Sequence, residues 1–144
     1  MLIFRKGGAR MKKALSIVLV VLSIVSIFGI TAAAVEPRWN NASSAFVAIT
    51  INDSGKATVT YNCAGIGNIT TGITAETKLE RKWGLLWLDV DGAEWYESVN
   101  GTFLTKSHTF QLTKTGTYRA TTQFTVSGTG GSNDSIKVTD QDTY

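Results

Sequence analysis

From about residue 35 to the C-terminus, apolar and polar side chains alternate in steps of two. Clusters of Gly, Asn, Asp and Ser interrupt the alternation about every 8 to 14 residues. No stretch of this region repeats apolar residues at the helical spacing of three and four over several turns, so it reads as a succession of strands. Ala45 to Ile51 places Val47, Ile49 and Ile51 on one face, and Asn52-Asp53-Ser54-Gly55 supplies a turn. Lys56 to Cys63 then aligns Ala57, Val59, Tyr61 and Cys63, and Ile73 to Lys82 sets Ile73, Ala75 and Leu79 against Thr74, Glu76, Lys78 and Glu80. One face is expected to meet a core and the other water.

Leu85 to Val90 and Ala93 to Val99 flank Asp91-Gly92, a pair expected to form a hairpin turn. The phase of the first segment is ambiguous, because Leu86, Leu88 and Val90 compete with Leu85 and Trp87 for the interior. Phe103 to Leu112 follows. Thr117 to Ser127 has Tyr118, Ala120, Phe124 and Val126 inward, and a last strand, Ser135 to Thr139, contributes Ile136 and Val138. Seven or eight short strands in about 100 residues predict an all-β fold, a two-sheet antiparallel β-sandwich, with a barrel as the alternative.

The N-terminal third follows a different pattern. Ala14 to Ile30 is a nearly unbroken run of Leu, Ile, Val and Ser, preceded by Lys12-Lys13 and followed by Ala32-Ala33-Ala34. This is the layout of a signal peptide. Residues 1–34 are therefore expected to be removed after Ala34, leaving a domain over residues 35–144, and an uncleaved anchor helix is the competing reading. Lys6-Gly7-Gly8 is what a ribosome-binding sequence would encode, so translation is expected to begin at Met11 and residues 1–10 to be absent.

Charge supports the same division. Five of the fourteen basic residues lie in the leader and none of the eleven acidic ones does, so the overall +3 conceals a slightly acidic domain. Apart from Arg81-Lys82 it has no basic cluster of the kind nucleic-acid binding needs. No membrane contact is expected once the leader is gone, because no second long apolar segment follows.

Lys114-Thr115-Gly116-Thr117-Tyr118-Arg119-Ala120 resembles the immunoglobulin-type tyrosine corner, a turn Gly followed by a Tyr opening the penultimate strand. The resemblance implies that Ala120 occupies a position held by Cys in bridged members, and that Cys63 falls where its partner would lie. More broadly, the leader, Pro37-Arg38-Trp39 and the Gly116-x-Tyr118-Arg119 strand resemble small secreted immunoglobulin-like proteins of Gram-positive bacteria. That likeness implies an exported, disulfide-free sandwich and assigns no site.

Candidate chemistry is sparse. Cys63 and His108 are the sole Cys and His, too few for a zinc site, and Cys63 is in phase with core residues. Asp89-Val90-Asp91-Gly92 with Glu94 has the start of a calcium loop without its closing ligands. Glu76, Glu80, Glu94 and Glu97 alternate with core positions, as solvated carboxylates do. No catalytic residue, cofactor or metal is expected, and the Asn-x-Ser/Thr sequons at Asn41, Asn68, Asn100 and Asn133 are read as incidental.

The one dense feature is aromatic: Trp83, Trp87, Trp95 and Tyr96 fall within fourteen residues on what should be adjacent strands. Core or edge packing is one reading, since a central Trp fills immunoglobulin-type sandwiches. A ligand surface is the other, because exposed aromatic platforms hold sugar rings or protein partners. The expectation is a secreted, non-enzymatic domain that binds an extracellular protein or envelope component. A carbohydrate-binding module using the aromatic patch and a bacteriocin-like factor are the alternatives.

Overall fold

The computed structural model describes residues 38–144; the predicted leader, its cleavage site and the start of translation lie outside the described residues. Seven antiparallel strands build two sheets: β1 (Ala42–Ile51), β2 (Lys56–Gly65), β3 (Thr70–Trp83), β4 (Leu86–Val99), β5 (Phe103–Gln111), β6 (Thr117–Gly128) and β7 (Asp134–Thr143). One sheet has the order β1-β2-β5 and the other β4-β3-β6-β7. The result is an immunoglobulin-like sandwich in which the fourth strand joins the sheet of the third, sixth and seventh. Among the described residues no helix is long and apolar enough to cross a membrane.

The alternation explains why these strands bury what they bury. Ala57, Val59, Tyr61 and Cys63 of β2 are fully covered, as are Ala75 and Leu79 of β3 and Ala120, Phe124 and Val126 of β6. Tyr61 meets Phe124 across the two layers with ring centroids 6.3 Å apart. All of this core lies within Arg38–Tyr144, which forms one compact unit. That segment therefore has the anatomy of a domain that folds alone.

Two expectations are corrected. The Asp91-Gly92 pair is not a hairpin turn, because β4 runs unbroken through it. Between the pairs Lys78↔Glu94 and Glu80↔Asp89, Leu79 alone on β3 faces Val90, Asp91, Gly92 and Ala93. This is an enlarged bulge, and Gly92 absorbs it at φ 77°. The chain reverses instead at Gly84-Leu85, between the paired Trp83 and Leu86. Gly84 sits there at φ 59°, as the first central position of a II′-type hairpin turn requires.

The second correction concerns Cys63. Gly55, before β2, lies against the Tyr144 ring, and Tyr144 exchanges backbone hydrogen bonds with Gly116, before β6. The two strands thus start together and run the same way. Counting from the Tyr61–Phe124 contact puts Ala57 at the level of Ala120 and Cys63 at that of Val126. Cys63 is therefore not opposite the position that carries Cys in bridged sandwiches. The tyrosine corner itself is present, with the Tyr118 hydroxyl donating to the Lys114 carbonyl at 2.6 Å.

β7 extends to Thr143, past the predicted end at Thr139, because Asp140 and Asp142 turn inward. Each accepts a backbone N–H from β1, Ile49 to Asp140 at 3.0 Å and Ile51 to Asp142 at 2.7 Å. Buried Asp134 accepts three more, from Asn40 at 2.8 Å, Asn41 at 2.7 Å and Ala42 at 2.8 Å. β1 and β7 are edge strands of opposite sheets, so carboxylates take the place of a strand ladder between them. Asn41 is wholly buried at this seam and its amide donates to the Ser132 carbonyl at 3.0 Å. A glycan on that sequon would be incompatible with the fold.

Burial raises the Asp134 pKa, and the three N–H donors more than offset this, leaving the carboxyl below its usual range. Its folded pKa is thus lower than its unfolded one. The stabilisation is complete above an ordinary Asp pKa of about 3.9 and is lost as pH falls through the folded value. Asp134→Ala strands three N–H groups and is expected to cost about 3 kcal/mol or more at neutral pH. Its deficit against wild type should shrink in guanidinium titrations repeated well below pH 4. An equal deficit at both pH values would show that the ionised carboxylate is not the stabilising species.

Candidate functional site

The β3–β4 hairpin projects from the body of the domain. On its β6 side, β3 last pairs at Arg81↔Tyr118, while on its β4 side the ladder continues through Lys82↔Trp87 and Trp83↔Leu86. The last two rungs therefore stand beyond the sheet. The last rung, the turn and the neighbouring Leu88 are apolar and open: Leu85 is 98% exposed, Trp83 64%, Leu86 58% and Leu88 49%. Large apolar side chains exposed singly are ordinary, but four on one turn and its flanks form a patch.

The four aromatic residues singled out from the sequence do not share a platform. Trp83 belongs to the projecting tip. Trp87, also on the hairpin, lies on the outer face of the sheet, where the Arg119 guanidinium sits 4.3 Å above its ring and the Lys82 ammonium 6.0 Å away. Arg119 is itself held by Glu80 at 2.8 Å. Burial raises the Glu80 pKa, but hydrogen bonds from Arg119 and Thr121 together with the charges of Arg119 and Lys78 leave it lowered.

Trp95 points the other way, between the layers. Its ring stacks on His108 of β5 at 4.9 Å and 10°, and His108 in turn stacks on Tyr61 at 5.9 Å. This stack closes the side of the sandwich where β4 and β5 are the edges. Tyr96 returns to the outer face, 64% exposed. It lines an open depression of about 490 Å³ with Glu76, Glu94, Gln123 and Lys137. Tyr96 pairs with Glu76 and Trp87 with Lys82, six residues apart on β3 and hence roughly 20 Å.

Sequence reasoning missed Leu85, Leu86 and Leu88 as surface residues. The available signal was the phase ambiguity itself: a run apolar in both parities that opens with Trp-Gly cannot bury both faces at the end of a sheet.

The groups capable of chemistry are engaged elsewhere. Cys63 is buried, and burial followed by the nearby Asp134 charge pushes its thiol up to about 11, away from the reactive thiolate. His108 Nε2 lies 3.1 Å from the Tyr61 hydroxyl and 3.3 Å from Glu97 Oε1. In the β2–β5 ladder Cys63 pairs with Leu104 and Val59 with His108, so Cys63 and His108 are four rungs apart. Asp89, the first residue of the calcium-like run, is held by Lys78 at 2.6 Å. Among the described residues no three His, Cys, Asp or Glu side chains are grouped to hold a metal ion.

No protein-family model matches the chain, and no curated protein matches it. The family expectation therefore rests on the sequence motifs alone.

Removing the seam aromatic and removing the tip residue should have opposite consequences for stability. Trp95→Ala is expected to cost about 2 kcal/mol or more, since it empties the space against His108. Leu85→Ser should stay within about 0.5 kcal/mol of wild type. Urea unfolding of the two variants checks both, and a large loss for Leu85→Ser would mean the tip is packed rather than free.

Proposed function

We propose that the chain is a secreted, non-enzymatic recognition domain that binds a partner outside the cell or on the cell envelope through the β3–β4 hairpin. The observation that carries this is the projecting apolar tip, Trp83, Leu85, Leu86 and Leu88, which contributes nothing to the core. Exposed apolar surface of this kind is costly to keep in water and marks a binding site when it is concentrated in one place. Export is supported by the leader, and by the resemblance to secreted proteins of Gram-positive bacteria. The non-enzymatic reading is supported by the engagement of Cys63, His108 and Glu80 in packing and ion pairs.

One observation favours a second reading. The depression beside Tyr96 combines an exposed aromatic ring with the acid, amide and ammonium groups of Glu76, Gln123 and Lys137. A glycan would be held there by ring stacking and hydrogen bonds.

A single experiment separates the two. Fluorescently labelled Arg38–Tyr144 is titrated onto washed Gram-positive bacterial cells, alongside Leu85→Ser and Tyr96→Ala. The hairpin reading expects saturable binding that weakens at least tenfold in Leu85→Ser and is unchanged in Tyr96→Ala. The reverse pattern favours the glycan reading, and binding indifferent to both substitutions defeats each.

A further inference from the structure

We propose that the partner of the hairpin tip is the interface of an anionic lipid bilayer, into which the turn inserts; this rests on the reading that the hairpin is the binding element. The tip projects past the last β3–β6 pair as a knob one turn wide, a shape fitted to enter a soft apolar phase rather than to mate with a flat surface. Leu85 at the apex and Leu86 beside it are aliphatic, and the exposed Trp83 flanks them. Trp is the side chain that prefers the boundary between headgroup and acyl chain.

From Arg81 to Leu88 the hairpin carries two cations and no acid. The first carboxylate beyond, Asp89, is held by Lys78 at 2.6 Å. Lys82 meets the Trp87 ring, and Arg81 donates to the Thr115 carbonyl at 2.7 and 3.1 Å, a neutral partner that leaves its charge uncompensated. A strand rises about 3.3 Å per residue, so Lys82 and Arg81 lie about one and two rungs behind the Trp83↔Leu86 pair. With the turn at the acyl boundary, both cations reach the depth of the lipid phosphates.

Insertion stays shallow, because the hairpin's outer N–H and C=O groups need partners that the hydrocarbon core lacks. The contact needs no second long apolar segment, because a two-residue turn with its flanking apolar side chains supplies it.

The test uses Arg38–Tyr144 with vesicles of pure phosphatidylcholine and of equal parts phosphatidylcholine and phosphatidylglycerol, read by co-sedimentation and tryptophan emission. Expected are association with the anionic vesicles, a blue shift, and quenching by brominated acyl chains. Leu85→Asp should weaken association at least tenfold, and Lys82→Glu should remove the preference for anionic lipid. No association, association indifferent to Leu85→Asp, or salt-reversible adsorption without a blue shift overturns the proposal. Leu85-dependent self-association in sedimentation equilibrium without vesicle binding overturns it in favour of a second copy. If cell binding depends on Leu85 while vesicles are ignored, the lipid assignment falls and the hairpin reading stands.

Discussion

A sandwich of two open sheets has two sides along which its layers can part, and the aspartates of β7 close one of them. Edge strand β1 presents unpaired N–H groups along that side. Asp134, Asp140 and Asp142 accept three of them, from Ala42, Ile49 and Ile51, and Asp134 accepts two more from Asn40 and Asn41 just before the strand. Inward carboxylates satisfy the edge and also deny it to another chain's strand, which would have to displace charged acceptors to pair. The core can then remain small-residue and close, with Ala57, Ala75, Ala93 and Ala120 all fully covered.

The other side is closed by side chains instead. Trp95 of β4, His108 of β5 and Tyr61 of β2 form a stacked run, and Glu97 of β4 reaches both His108 at 3.3 Å and Lys106 at 3.4 Å. This arrangement explains why one tryptophan of the cluster is structural and its neighbour Tyr96 is not. On a strand, adjacent residues face opposite ways, so Trp95 and Tyr96 cannot serve one surface.

With both sides shut, four exposed apolar side chains, Trp83, Leu85, Leu86 and Leu88, gather at the end of the β3–β4 hairpin, whereas Phe46, Tyr96 and Phe103 are exposed at separate places. The hairpin end is held by the ladder behind it, by the Gly84 turn, and by Arg119 bridging Trp87 to Glu80.

What the amino-acid sequence determined by itself was local and periodic. Strand identity followed from the two-residue alternation in Ala57 to Cys63, Ile73 to Leu79 and Tyr118 to Val126, because a pleated chain sends successive side chains to opposite faces whatever packs on them. The tyrosine corner was legible for the same reason, its bond spanning only from Tyr118 to Lys114. Only tertiary structure decided the rest. Asp140 and Asp142 read as a polar tail until β1, ninety residues earlier in the chain, supplies N–H groups for them to accept. Asp91-Gly92 and Gly84-Leu85 each hold a glycine at positive φ, and the pairing of β4 with β3 on both sides of Asp91-Gly92 made that pair a bulge and Gly84-Leu85 the reversal. The same pairing decided which of the aromatic residues meet water, since facing depends on register, and register is a property of two strands together.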